Sequence, residues 1–334
     1  MTRKLVFHVG APKTGSTYLQ WRLRANAARL REHGIYVPVL PAVARMAGNA
    51  KLLATALAGT PSLSFRRAFP DIDAAALAPQ RVLADLLADW RDDEAAILSA
   101  ENFRPSHARL LRDLVPSDVP CTVVLFVRRQ DSWVESYYNQ LVKADEVHGD
   151  VAHFIDTVCD GPDERFCCPD WSVHYEAWRA AFGTCRVIFY DEVRNDIFGA
   201  LLRAAELGAP PEVADVPLAQ VSLDTHQLAY LLQLERPIEF ADFARRRAAS
   251  GEASLRLGAP PFAHVLGTRE RMRLHERFDA SNRTLLAALG RSTDTPALTL
   301  GDAAAHALTL DEVYVSAEYR AHRALADSLF ANCT

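Results

Sequence analysis

Residues 4 to 22 place a strand, a glycine loop and a helix in immediate succession, and no other stretch constrains the fold as strongly. The apolar run Leu5 to Val9 predicts a strand buried on both faces. Gly10 and Gly15 then bracket a turn that leads into an amphipathic segment, which predicts a helix over 17–33. Because the first backbone amides of such a helix have no partners, its N-terminus attracts an anion, and Gly15 lets the backbone approach that anion closely.

The position of the lysine in this loop indicates which anion it binds. A Walker loop has the form Gly-x-x-x-x-Gly-Lys-Ser/Thr, with the lysine after the second glycine. Gly10 and Gly15 have that spacing, but Ser16 stands in the lysine position and the lysine is Lys13. Only 4 of the 37 Lys and Arg residues are lysines, and a compact ammonium suits a point contact with one phosphate or sulfate oxygen. The alternative is an ordinary solvent-exposed loop lysine.

Glu101 follows a second predicted buried strand, Ala95 to Ser99. In a parallel sheet, ligands collect at the carboxyl ends of the strands, so this carboxylate faces the same crevice as the glycine loop. It is therefore a candidate general base. The alternative is that Glu101 caps the helix predicted over 106–114. His107, on that helix, is a less favoured candidate for the base.

A third predicted buried strand, residues 122–127, ends at Arg128, and a helix is expected to follow through Leu141. Ser136 lies in that helix, eight residues after Arg128. An arginine at a strand end and a hydroxyl in the next helix can bind one anion, the arginine through two parallel charge-assisted hydrogen bonds. The chain therefore has a second candidate phosphate site.

These motifs resemble those of sulfotransferases that use 3′-phosphoadenosine-5′-phosphosulfate (PAPS). Residues 12–17 resemble the family's 5′-phosphosulfate loop, and residues 128–138 resemble its 3′-phosphate motif, in which arginine and serine have this separation. Glu101 holds the slot of the catalytic base, which is histidine in the cytosolic enzymes and glutamate in other branches. Tyr190 resembles the strand-end tyrosine that contacts the adenine, with a simple core residue as the alternative. Residues 278–283 resemble a closing signature of bacterial sulfotransferases, which an ordinary helix cap explains equally well.

The resemblance covers roughly residues 4–290 and implies a three-layer α/β, P-loop-like fold, with a central parallel sheet flanked by helices and a helical C-terminal part. It implies a sulfotransferase domain over 1–290, with 291–334 forming a linker and a helix packed on the same domain. The donor would be PAPS, the product adenosine 3′,5′-bisphosphate, and no metal would be needed. Lys13 and Glu101 would be catalytic. The residues expected to bind the nucleotide are Lys13, Thr14, Gly15, Ser16, Thr17, Arg128, Ser136 and Tyr190.

Composition argues against several other classes of protein. A net charge of −5 and a pI near 6.1 disfavour nucleic-acid binding. The six cysteines form no CxxC pair and have no histidines at zinc spacing, which disfavours a metal site. No stretch reaches the length of a membrane span, and the first apolar run is too short for a secretory signal. We therefore expect a soluble, cytoplasmic protein.

Two other functions stay open at this point. One is a P-loop nucleoside or small-molecule kinase, and the other is a catalytically silent nucleotide-binding protein. The acceptor is expected to be a carbohydrate or a small metabolite, by analogy alone. Segments 38–70, 139–170 and 236–268 are expected to shape its site. The sequence gives no indication of oligomeric state.

Further helices are predicted over 71–90, 171–182, 196–207, 224–235, 239–249, 269–289 and 310–330.

Overall fold

The structure is a computed structural model, and the chain in it forms two compact units. The first unit comprises Met1–Arg129, Glu164–Ala219 and Asp279–Leu298, and the second comprises the remaining segments. The predicted division at residue 290 stays a prediction. The residues that the structure describes are 3–40, 48–61, 65–66, 69–73, 77–144, 146–149, 151–160, 167–208, 212–215, 225–233, 265–293, 295–299 and 310–330.

The first unit is built on a parallel sheet with the strand order β2-β3-β1-β4-β5. The five strands are β1 Lys4–His8, β2 Ile35–Tyr36, β3 Ala95–Ser99, β4 Cys121–Val127 and β5 Arg186–Phe189. Helices flank this sheet, so the predicted fold class is confirmed.

The helices connect the strands and form most of the rest of the described part of the chain. In chain order they are α1 Ser16–Ala25, α2 Ala27–Glu32, α3 Lys51–Ala58, α4 Pro79–Leu86, α5 His107–Leu114, α6 Gln130–Lys143, α7 Val151–Asp160, α8 Trp171–Phe182, α9 Tyr190–Val193, α10 Ile197–Ala204, α11 Thr225–Leu232, α12 Thr268–Ala288, α13 Leu310–Val315 and α14 Ala317–Phe330.

The core of the first unit lies against the central strands. Val6 of β1 and Phe126 of β4 are fully buried, and one face of α1 packs onto them through Leu19 and Leu23. Leu201 of α10 belongs to the same cluster. Burial of this apolar surface is the main force that holds the glycine loop between a fixed strand and a fixed helix.

Three predicted helices differ from the observed ones, and one of them, expected over 310–330, is divided into α13 and α14 at Ser316. The helix expected over 17–33 is broken at Asn26, whose side-chain amide donates to Arg22 O and Ala214 O, both at 2.9 Å, and accepts from the Ala214 amide. The helix expected over 71–90 begins only at Pro79, because proline fits the first turn of a helix but not its interior. The helix expected over 239–249 lies outside the described residues.

The described part of the second unit is helical. Tyr138 of α6 packs on Phe154 of α7, with ring centroids 5.3 Å apart. Arg271 of α12 pairs with the buried Asp131 at 2.6 Å and with Glu135 at 3.2 Å. Within the described parts of the whole chain, no helix has both the length and the apolar character that crossing a bilayer requires.

Candidate functional site

The predicted site residues of the first unit follow strands that end at the same edge of the sheet. Glu101 follows β3, the glycine loop follows β1, Arg128 follows β4 and Tyr190 follows β5. These strands are consecutive neighbours in the order β3-β1-β4-β5, and all are parallel. Neighbouring strands lie about 4.8 Å apart, so the topology brings the predicted groups together at one carboxyl edge.

The loop backbone takes a left-handed conformation at two residues. Lys13 has φ 67° and Gly15 has φ 80°. Left-handed backbone is uncommon for a residue with a side chain, and such conformations concentrate at functional sites. Gly15 precedes α1, whose N-terminus has no side-chain cap and no acidic residue in its first turn. Its first amides and the positive end of the helix dipole are thus in place for an anion.

The hydroxyl side chains of the loop differ in their surroundings. Thr14 and Ser16 are buried, and the Thr14 hydroxyl donates to Ala11 O at 2.8 Å, within the loop itself. The Thr14 and Ser16 hydroxyl oxygens lie 3.3 Å apart. Lys13 and Thr17 are half-buried. Thr14 and Ser16 therefore stabilise the loop, while Lys13 and Thr17 keep part of their surface open; anion binding by all of them stays a prediction.

Gly15 is required by its neighbours as well as by its backbone. A Cβ at this position would lie 2.4 Å from Ile197 Cδ1 and 2.9 Å from Tyr190 Cε2. Tyr190 therefore packs directly against the loop, and it remains half-buried. Its contact with an adenine stays a prediction.

Arg128 joins the end of β4 to the loop. Its Nη1 donates to Lys13 O at 3.3 Å, and its guanidinium carbon lies 5.1 Å from the centre of the Tyr190 ring. Its Nε is 3.8 Å from Asp191 Oδ1, and Trp171 Nε1 donates to its carbonyl oxygen at 2.7 Å. Nε itself is buried and makes no hydrogen bond to any residue that the structure describes. A buried N–H of this kind lowers the stability of the fold unless a ligand or a water molecule accepts its hydrogen bond.

Ser136 lies in the second turn of α6 and is half-buried. Helix α6 belongs to the second unit. The shared phosphate contact of Ser136 and Arg128 therefore stays a prediction.

Glu101 is paired with a lysine that the sequence reasoning missed. Lys51 Nζ lies 3.8 Å from Glu101 Oε1, with 25% and 20% of the two side chains exposed. Lys51 opens α3, inside a stretch whose structure the sequence did not resolve. The scarcity of lysine was the available signal, because two of the four lysines, Lys13 and Lys51, lie in loops and helix starts at this sheet edge.

His8 is a second residue that the sequence reasoning missed. It is the last residue of β1 and is fully buried, with Nδ1 2.7 Å from Ser99 Oγ. Among the described residues, its Nε2 has no hydrogen-bond partner, and it lies 2.8 Å from where a Cβ on Gly10 would stand. Burial lowers the pKa of His8 to about 3, so the ring is neutral under the loop.

The two remaining candidates have structural roles. His107 is buried, and its Nδ1 accepts from the Arg104 amide at 3.3 Å. Burial, together with the charge of Arg104, lowers the pKa of His107 to about 4. Ser281, from the closing signature, lies inside α12 rather than at a helix start, and its hydroxyl donates to Asp170, the N-cap of α8. Among the described residues, no group of three or more His, Cys, Asp or Glu side chains is placed to hold a metal ion.

The solved structures that resemble this chain include two sulfotransferases. A sulfotransferase from Alicyclobacillus acidocaldarius is 14% identical with a TM-score of 0.53, and the match covers 87% of this chain and 98% of that one. The sulfotransferase domain from the curacin biosynthetic pathway is 12% identical over the same shares, with a TM-score of 0.36. No protein-family model and no curated protein matches the chain. The first likeness shows that this chain shares the fold of a solved sulfotransferase.

Proposed function

We propose that this protein is a PAPS-dependent sulfotransferase that transfers a sulfuryl group to a hydroxyl or amine acceptor. The observation that carries the proposal is the contact of Arg128 Nη1 with Lys13 O at 3.3 Å. This hydrogen bond joins the segment that resembles a 3′-phosphate motif to the loop that resembles a 5′-phosphosulfate site. A donor with a phosphate group at both ends can bind only if one molecule reaches both motifs.

The residues present fit such a donor. The uncapped start of α1 and the left-handed turn at Lys13 and Gly15 suit the 5′ end. The buried Arg128 Nε, for which the described part of the chain supplies no hydrogen-bond acceptor, suits a second anion. The sequence motif assigns the 3′-phosphate to Arg128 and Ser136, and Tyr190 would contact the adenine.

The chemistry that follows is an in-line transfer. The donor supplies a sulfuryl group, whose bond to the bridging phosphate oxygen breaks as the acceptor oxygen or nitrogen bonds to sulfur, with the electron pair kept by the bridging oxygen. Glu101 takes the proton that the acceptor releases, as general base. Lys13 stabilises the negative charge that develops on the bridging oxygen, an effect typically worth about 3 kcal/mol. With these side chains in place, the transfer needs no metal.

The kinase alternative is less well supported. Ser16 occupies the position of the Walker lysine and is 2% exposed. A side chain buried there takes part in the loop's own structure, so the charge in this loop comes from Lys13 instead. The silent nucleotide-binding alternative is disfavoured because Glu101 is present at the edge where the chemistry would occur.

The proposal also covers the acceptor and the cellular compartment. We expect a carbohydrate or a small metabolite as acceptor, and action in the cytoplasm. We expect no binding to nucleic acid.

A titration distinguishes the proposed function from its alternatives. The protein is titrated with adenosine 3′,5′-bisphosphate without metal, and separately with ATP and magnesium, by isothermal calorimetry. Tighter binding of the bisphosphate is expected, whereas a preference for ATP with magnesium would indicate a kinase. Transfer of radiolabelled sulfate from PAPS to a panel of sugars, phenols and amines then tests catalysis. A protein that binds the bisphosphate but transfers nothing would be the silent alternative.

A further inference from the structure

We infer that Lys51 is a positioning residue for Glu101, and that its ammonium holds the Glu101 carboxylate in place to take the acceptor's proton. The inference rests on the proposed function, because it requires Glu101 to be the general base. Nothing in the residue types or their spacing predicts that Lys51 and Glu101 lie side by side. The structure brings them together because residues 49 and 50 cover the edge of β3.

The edge of β3 changes partner halfway along the strand. β2 is two residues long and pairs only with Ala95 and Ala96. Beyond that point, the side-chain amide of Asn49 donates to Ile97 O at 2.8 Å and accepts from the Ser99 amide at 2.7 Å. The Ala50 amide adds a bond to Ser99 O at 3.1 Å. Three hydrogen bonds therefore fix residues 49 and 50 to the end of β3, in the place that a longer β2 would occupy.

These three hydrogen bonds determine where α3 begins, with Lys51 as its first residue. Lys51 is the first residue of α3, immediately after Ala50, and Glu101 follows the end of β3 by two residues. A cation at a helix N-terminus is disfavoured by the helix dipole, so helix stability does not explain a lysine there. The charge of Glu101 does explain it.

The geometry of the pair suits a base that must still accept a proton. Nζ and Oε1 are 3.8 Å apart, beyond hydrogen-bond distance, so the ammonium attracts the carboxylate without occupying its oxygens. Both side chains are largely buried, which reduces screening by salt. Among the described residues, Lys51 is the charged group in an ion pair with Glu101. Arg104 comes three residues after Glu101, and the neutral His107 is the first residue of α5.

The test compares Lys51→Met with Lys51→Arg in steady-state sulfate transfer from PAPS. Lys51→Met is expected to lower kcat by roughly tenfold or more, because an oriented general base contributes at least that much. The KM for PAPS and the Kd for adenosine 3′,5′-bisphosphate should stay unchanged, and Lys51→Arg should restore part of kcat. The matched control is Lys4→Met. Lys4 is at the end of β1 away from the glycine loop, and its ammonium donates to Ala205 O and Glu206 O. This control should keep the wild-type kcat.

A double variant shows whether Lys51 acts through Glu101. In the Glu101→Gln background, Lys51→Met should cause no further loss, because the carboxylate that it positions has gone. An equal loss in both backgrounds, or a wild-type kcat in Lys51→Met, would overturn the inference and leave the proposed function intact. Full activity in Glu101→Gln would remove the base and the inference together. A wild type that binds no bisphosphate and transfers no sulfate would instead overturn the proposed function itself.

Discussion

The guanidinium of Arg128 donates to the carbonyl oxygen of Lys13 across 115 positions of the chain, at 3.3 Å. Each residue belongs to a different phosphate-type motif, and each follows a different strand of the sheet. Since β1 and β4 are parallel neighbours, both motifs come to the same edge. The contact is the observation behind the proposal that both motifs bind one ligand.

Arg128→Ala should weaken binding of adenosine 3′,5′-bisphosphate more than it changes kcat. Loss of a charged hydrogen-bond donor typically costs about 1.5–3 kcal/mol, or roughly ten- to a hundredfold in Kd. Calorimetry measures the change directly. Arg186→Ala removes an exposed arginine that pairs with Glu206, and its Kd should match the wild type. Equal Kd values for the wild type and Arg128→Ala would contradict the role given to Arg128.

Lys13→Ala and Glu101→Gln should each lower sulfate transfer by a large factor, about a hundredfold or more, since one removes charge stabilisation and the other the general base. Both are measured as kcat with radiolabelled PAPS and an acceptor found in the screen. Glu101→Gln should leave bisphosphate binding unchanged. Wild-type turnover in Glu101→Gln would show that another residue is the base.

Gly15→Ala tests whether the loop depends on close packing or on backbone freedom alone. Gly59 is left-handed like Gly15, with φ 68° against 80°, but a Cβ on Gly59 would meet no atom within 4 Å. Gly59→Ala should therefore cost only the backbone strain, about 1 kcal/mol. Gly15→Ala adds the clash with Ile197 and Tyr190, typically about 1–3 kcal/mol more. Urea unfolding measures both, and equal losses would contradict the packing argument.

His8 should make stability depend on acid pH. Its pKa is near 6.5 when unfolded and about 3 when folded, because burial penalises the charged ring. Between these values the unfolded chain binds more protons, so stability is lost as pH falls below 6.5, by up to about 1.4 kcal/mol per pH unit. His8→Gln removes this contribution, and its urea midpoint should fall less steeply between pH 6.5 and 4. Parallel curves for variant and wild type would show that His8 is protonated in the folded protein.

Arg271→Met should strongly destabilise the second unit. It removes the arginine that pairs with Asp131, which is 3% exposed, and loss of one partner of a buried pair typically costs about 3–5 kcal/mol. Arg283→Met, in the same helix, breaks an exposed pair with Asp279 and should cost at most about 1 kcal/mol. Urea unfolding compares the two variants. Similar losses would mean that the Arg271 cluster contributes little.

Much of the first unit was predictable because its signals are local. The apolar runs of β1, β3 and β4 and the glycines of the loop specify strand, turn and helix within a few residues. Parallel strands also place the residues that follow them at one edge of the sheet, and this rule predicted that Glu101 and Arg128 lie at that edge. The helix break at Asn26 was not predictable, because it depends on Ala214, which is distant in sequence.

By itself, the sequence determined the strands β1, β3 and β4, the glycine loop with its displaced lysine, and the placement of Glu101 and Arg128 directly after two of these strands. These follow from hydrophobic periodicity and from residue chemistry, which are properties of short segments. The tertiary structure alone decided that Lys51 faces Glu101, that His8 is buried neutral beneath the loop, and that Tyr190 packs on Gly15. These depend on contacts between distant segments, whose free energy is set by burial and close packing in three dimensions.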